Sequence, residues 1–182
     1  MGRDKAVLDF GGETLLQRLL KLARAVSENV SIVGDAKKFA GFAPVVEDVY
    51  RDCGPLGGIH AALSASIAEQ NLILAVDLPF LEVYFLEYLI AEASKSQAMV
   101  TVPDVGGKFQ PLCAIYRSDF LSLAEDALRN HQNKIDLLFA AIETRIIRED
   151  ELTRSGFSSE MFRNLNTPED FKNALRAVDA KH

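Results

Sequence analysis

The sequence predicts an α/β fold in one domain, and three observations lead there. Short apolar runs alternate with segments of helical periodicity along the whole chain. Residues 72–76, LILAV, form a continuous apolar run of strand length, the pattern of a strand buried on both faces. No internal repeat, low-complexity tract or flexible linker divides the 182 residues, a length ordinary for one domain.

Each element has its own signal. In 13–26, Leu15, Leu16, Leu19, Leu20, Ala23 and Val26 share one helical face, after a turn at Gly11 and Gly12. Residues 29–33 read as a short strand ending at Gly34, and 44–48 (PVVED) as a second extended run. CGPLGG at 53–58 reads as a turn-rich loop ahead of a small-residue helix. After LILAV, Pro79 suits the first turn of a helix running to about Ser94. Residues 98–103 and 110–116 flank DVGGKF as a hairpin with a glycine tip. Helices are expected near 119–130 and 134–142, and an edge strand at 144–149. Thr167 is placed as an N-cap, with Pro168 in the first helical position and Glu169 and Asp170 opposing the helix dipole.

Composition removes several function classes. A net charge of −6 lacks the basic excess of a duplex nucleic-acid binder. No apolar run reaches the roughly 18 to 20 residues of a membrane span. The N-terminus has no apolar h-region, and Ala6 stands where N-myristoylation wants Ser or Thr. Cys53 and Cys113 form neither a disulfide framework nor a CxxC site; two free thiols in a reducing cytoplasm are expected. His60, His131 and His182 lack metal-site spacing, and no serine or cysteine sits in a nucleophile elbow.

Asp77 is the leading chemical candidate. It ends LILAV, and in open α/β sheets ligands bind beyond the carboxyl ends of strands. Its carboxylate suits Mg²⁺, which takes one or two carboxylates plus substrate phosphates, or equally the N-cap of the Pro79 helix. Lys5 can neutralise phosphate oxygens or sit solvated at the surface. Gly57 and Gly58 permit close approach of a ligand or of another backbone. Asp48 can accept from a base or ribose, or stand as a loop carboxylate. Gln110, Asn164 and Asn166 lie at strand ends or caps, where amides read hydrogen-bonding ligands; Asn166 also suits a helix-entry turn.

The order of these segments adds to their weight. GRDKA, Gly12 to Arg18 (GxxLLxR), VVED, GPLGG, LAVDLPF, TVP, QPLCAIY, KIDLLF and NLNTPEDF together resemble the molybdenum cofactor guanylyltransferases, along nearly the whole chain. LAVDLPF and GPLGG are shared with sugar and pterin nucleotidyltransferases; QPLCAIY and NLNTPED are narrower. The resemblance implies a Rossmann-like three-layer nucleotidyltransferase fold, its sheet mostly parallel with an antiparallel element. It implies Mg²⁺, and GTP and molybdopterin as substrates, with possible docking to molybdenum cofactor carriers or to the enzymes that receive the cofactor. In residues, it implies phosphate contact at Lys5, Mg²⁺ at Asp77, and nucleotide contacts at Gly34, Asp48, Gly54, Pro55 and Leu56. Asn164 and Asn166 fall on the pterin side. The family motif LAGGxSxRMGxDK is matched only from Met1-Gly2-Arg3-Asp4-Lys5. An N-terminally incomplete domain is therefore expected, with strand edges exposed where the first strand would lie and with fewer phosphate contacts. A cytidylyltransferase relative, or a binding module without turnover, are the alternative readings.

Overall fold

The computed structural model describes residues 5–165 and 167–179. Lys5–Val7 form a 3-10 turn. Helix α1, Leu15–Val26, begins where the Thr14 hydroxyl accepts from the Gln17 amide and the Gln17 side chain reaches back to the Thr14 amide, a reciprocal cap. Its apolar stripe buries Leu15, Leu16 and Leu20. Strand β1 (Ile32–Val33), the short α2 (Ala36–Phe39) and β2 (Val45–Val46) follow, β1 and β2 pairing in parallel as a two-stranded ribbon.

Helix α3 spans Gly54–Ala65. CGPLGG is therefore not the expected loop: all but Cys53 belongs to the first turns of the helix. Pro55 loses nothing there, because the first amides of a helix have no intrahelical partner. A tight turn does lead into the helix, at 52–54, where Asp52 (φ 60°) and Gly54 (φ 62°) take left-handed conformations.

Strand β3 covers Gln70–Leu74 and ends two residues before the expected boundary. Leu72, Ile73 and Leu74 are half-buried, against the expectation of full burial, because among the described residues β3 pairs on one side only, with β6. Helix α4, Val83–Ser94, starts four residues after Pro79 with Glu82 at its N-cap, so 75–82 is an irregular connection. Strands β4 (Val100–Val105) and β5 (Lys108–Phe109) form the hairpin around Gly106 and Gly107, and β6 (Cys113–Arg117) returns between β3 and β4. Helices α5 (Phe120–Arg129) and α6 (Ile135–Ala140) follow. Strand β7 (Thr144–Arg148) pairs only with β4 and forms the opposite edge. Helix α7 (Glu149–Arg154), a 3-10 turn at Ser159–Phe162 and helix α8 (Pro168–Asp179) complete the chain. Thr167 caps α8 as its sequence predicts: its hydroxyl accepts from the Asp170 amide (3.0 Å) while Asp170 accepts from the Thr167 amide (2.7 Å).

Because β6 is antiparallel to both β3 and β4, and β7 is parallel to β4, strands β3, β4 and β7 run one way with β6 inserted against them. Helices cover both faces. On one, Leu56, Ile59 and Leu63 of α3 pack with Phe120, Leu128 and Phe139 over Val100, Val102 and Tyr116. On the other, Phe85, Leu86 and Leu89 of α4 pack with Met161 and Phe162 over Cys113, Ile115 and Ile147. The alternation of Val100 and Val102 against Thr101 along β4 follows from the two-residue period of a strand.

Candidate functional site

A cavity of about 210 Å³ opens where β3 leaves the sheet. Ala75, Asp77 and Leu78 form one wall, Phe109 to Leu112 the other, and Asn164 a third side. Three sequence candidates, Asp77, Gln110 and Asn164, thus meet in one space although the chain separates them widely. Each arrives for a local reason. Ala75 donates its amide to the Leu112 carbonyl (2.7 Å), extending the β3–β6 pairing by one bond before the chain turns away. The Gln110 amide donates to the Pro103 carbonyl (2.9 Å), and its side-chain amide to the Lys108 carbonyl (3.2 Å), fixing the residue at the base of the hairpin. Phe109 meets Phe139 edge-on, ring centroids 5.4 Å apart.

The Asp77 carboxylate is half-buried and accepts no hydrogen bond among the described residues. The N-cap reading of Asp77 falls, because α4 begins only at Val83. Its main-chain carbonyl instead accepts from the Leu165 amide (3.1 Å). The Leu165 carbonyl in turn accepts from the Lys5 ammonium (2.6 Å). One peptide segment, with Leu165 buried, thereby joins Lys5 to Asp77. Lys5 stands on a 3-10 turn, within reach of Asp77's support rather than isolated at the surface.

The remaining candidates gather elsewhere. Gly34 and Asp48 follow the ends of β1 and β2, and the Gly34 amide donates to the Val46 carbonyl (2.9 Å). A Cβ at Gly34 would press on the Phe39 ring at 3.2 Å. Asp48, Gly54 and Pro55 are exposed, the latter two at the start of α3, which packs on β1, β2 and β3. Leu56 differs: it is 0% exposed and belongs to the core, so its side chain has no surface to offer a nucleotide. Gly57 serves the backbone reading rather than a ligand, since a Cβ there would lie 2.7 Å from the Tyr50 carbonyl. Asn166 lies outside the described residues.

Three contributors had little or no signal in the sequence. Arg18 donates from Nε to the Pro79 carbonyl (2.8 Å) across 61 positions, which no local pattern announces. Leu165 acts through its backbone, and only its place between two asparagines marks it. Phe109 adjoins QPL, a signal of position though not of role.

Donor chemistry at the cavity is oxygen-based: a carboxylate and two amides. No group of three or more His, Cys, Asp and Glu assembles among the described residues. That set fits a hard cation completing its shell with substrate phosphates, and does not fit a closed structural zinc site. Burial pushes the Cys113 thiol up, away from its reactive form, and the residue faces the core. No helix of the described residues is long and apolar enough to cross a membrane.

Comparison with known proteins agrees with this layout. The chain is 31% identical, over its whole length and 91% of the relative's, to a protein of Carboxydothermus hydrogenoformans named "Probable molybdenum cofactor guanylyltransferase". It is 28% identical to the molybdenum cofactor guanylyltransferase of Syntrophotalea carbinolica, over 94% of this chain and 83% of that one. The fold matches molybdopterin-guanine dinucleotide biosynthesis protein A of Archaeoglobus fulgidus with a TM-score of 0.84 at 24% identity, covering 98% of this chain and 92% of that one. It also matches 2-C-methyl-D-erythritol 4-phosphate cytidylyltransferase of Thermus thermophilus, with a TM-score of 0.70 at 16% identity over 96% and 94% of the two chains. The profile of the MobA-like NTP transferase domain matches residues 1–145. With Asp77 in the connection that follows β3 and lining the cavity, the chain belongs to the MobA-like NTP transferases and is a nucleotidyltransferase.

Proposed function

We propose that this chain transfers GMP from GTP to the terminal phosphate of molybdopterin in its molybdenum form, giving the guanine dinucleotide cofactor and pyrophosphate. The observation that carries the reading is the union of Asp77, Gln110 and Asn164 in one cavity, with Lys5 tied to Asp77 through Leu165. The names of the relatives matched along nearly the whole chain support the same substrates.

In this reaction an acceptor phosphate oxygen attacks the α-phosphorus of GTP, the bond from that phosphorus to the bridging oxygen breaks, and pyrophosphate leaves. The acceptor oxygen is already anionic, so no strong general base is needed. What the protein supplies is placement and charge. Asp77 would hold Mg²⁺, which offsets charge on the phosphates being exchanged. Lys5 trades the Leu165 carbonyl for phosphate oxygens. Gln110 and Asn164 orient the acceptor by hydrogen bonds, while Gly34, Asp48, Gly54 and Pro55 flank the nucleotide. The reading takes the chain as a single nucleotidyltransferase domain working in the cytoplasm, and includes docking to cofactor carriers or receiving enzymes.

The test is GTP-dependent formation of the dinucleotide with Mg²⁺, reading product and pyrophosphate together. Asp77→Ala is expected to lower kcat by about 100-fold or more, the scale seen when one preorganised electrostatic partner is removed. Chelation by EDTA is expected to abolish turnover, and excess Mg²⁺ to restore it. Wild-type kcat in Asp77→Ala removes the metal role. Equal or better use of CTP points to a cytidylyltransferase, and acceptor binding without turnover to a binding module.

A further inference from the structure

We propose that Arg18 is a positioning residue for Asp77, holding the backbone turn on which the carboxylate is carried. The inference rests on the nucleotidyl-transfer reading above. Residues 75–82 leave the sheet and do not enter a helix until Val83, so regular pairing does little to fix them. Apart from the Ala75 bond to β6, the segment has a long internal bond from the Leu81 amide to the Leu78 carbonyl (3.5 Å), and Pro79 has no amide to donate. Its placement therefore depends on groups from elsewhere in the chain.

Leu78 and Leu81 anchor it in the apolar core beside Phe85, Met161 and Phe162, and three polar or charged groups contact it besides. The Leu165 amide donates to the Asp77 carbonyl (3.1 Å). The Arg163 guanidinium lies over the Phe80 ring, 4.7 Å from its centroid. Arg18 Nε donates to the Pro79 carbonyl (2.8 Å), and among the described residues it is the one side chain donating to this segment's backbone. Arg18 is itself held. Its own amide donates to the Thr14 carbonyl (3.0 Å) inside the capped start of α1, and its Nη1 lies 3.7 Å from Glu13 Oε1. The guanidinium side chain is only a third exposed, so its bond is a charge-assisted one in partial shelter from water. A rigid, capped helix thus fixes the carbonyl two residues beyond Asp77. A functional carboxylate has to be held to within about 0.5 Å by surrounding groups. Releasing this hold is expected to cost turnover more than nucleotide affinity.

The length of the side chain gives a clean test. Gln Nε2 sits the same number of bonds from the backbone as Arg Nε, so Arg18→Gln keeps an N–H donor at that place without the charge. Arg18→Met puts a methyl group there. Turnover, Mn²⁺ affinity in the presence of GTP (by electron paramagnetic resonance), hydrogen exchange over 75–82 and Tm are measured in the full chain. Arg18→Met is expected to lower kcat about 10- to 100-fold, the scale of a small misplacement of a catalytic group, with an essentially unchanged KM for GTP. It should weaken Mn²⁺ binding and speed exchange over 75–82 at a Tm close to wild type, and Arg18→Gln should recover most of each. Wild-type kcat with wild-type exchange in Arg18→Met overturns the proposal. So does an equal loss in both variants, which assigns the effect to charge, or a rise in KM alone, which places the guanidinium on the nucleotide. Exchange separates the two ideas: if the wild-type chain transfers no GMP, faster exchange in Arg18→Met still supports the hold while the transfer reading fails.

Discussion

At the scale of single residues, Asp77 matters because no described residue uses up its carboxylate. It lines a cavity, caps no helix and accepts no bond among the described residues, so its oxygens stay available to an incoming group. The glycines of GPLGG are not alike. A Cβ at Gly57 would meet the Tyr50 carbonyl at 2.7 Å, a backbone contact that can be relieved only by moving the 47–53 connection. Gly58 has only Val33 Cγ1, at 4.0 Å. Gly57→Ala is therefore expected to lower stability by about 1–3 kcal/mol, as overpacking does. Gly58→Ala should raise it by about 0.5–1 kcal/mol through helix propensity. Urea unfolding midpoints of the two variants, moving in opposite directions, check the pair. That Asp77 lines a cavity was legible in the sequence because it follows the apolar run LILAV, where strands of open α/β sheets end beside ligand crevices. Leu56 was legible only as part of a motif; that its side chain is packing depends on the phase of α3 against the sheet, which the motif does not state.

At the scale of elements, α4, β7 and α7 are joined by one ionic cluster. Arg145 on β7 pairs with Glu92 of α4 at 2.6 Å and with Glu151 of α7, whose other contact is the Tyr88 hydroxyl at 3.1 Å. Hydrogen bonds from Lys95 and then Arg145 hold the Glu92 carboxyl below its ordinary range, and the bond from Arg145 does the same for Glu151. Both shifts are downward on folding. Their contribution to stability is complete above the unfolded carboxyl value of about 4.3 and is lost as pH falls through the lower folded values. The contribution of this cluster to the urea midpoint should therefore be constant at neutral pH and be lost in acid below about 4.3, while Arg145→Met should be less stable at neutral pH and show a shallower limb in that acid range. A parallel acid limb in Arg145→Met removes the linkage. Local signals foresaw α1, α5, α6 and β7, of which α1 carries both an apolar stripe and a reciprocal cap of its own. They misjudged β3 and the start of α4. Whether an apolar run is central or at an edge depends on which strand lies beside it, and Pro79 is as acceptable in a turn as at a helix start.

At the scale of the whole molecule, the two ends of the described chain meet. Phe10 is 2% exposed and touches Phe171 of α8 edge-on, centroids 5.5 Å apart, beside Leu15, Leu165 and Ala174. This small cluster lies next to the peptide that joins Lys5 to Asp77. Phe10→Ala is expected to cost about 3–5 kcal/mol as a core truncation. Calorimetry reads the loss directly, and a Tm within a degree of wild type removes the docking of α8 as a structural element. That closure had no sequence signature, because it depends on contacts between segments more than a hundred residues apart.

The antiparallel insertion of β6 has a consequence for the chain as it is made. Among the described residues β3 pairs with a strand only once Cys113–Arg117 is synthesised, and β4, already paired with β5 and β6, meets β7 some forty residues after its own synthesis. At about 5–20 residues per second, the apolar LIL segment leaves the ribosome a few seconds before β6 can pair with it. During that interval α3 is the nearest finished element that can shield it. The nascent chain is thus most open to chaperone capture between the emergence of β3 and that of β6.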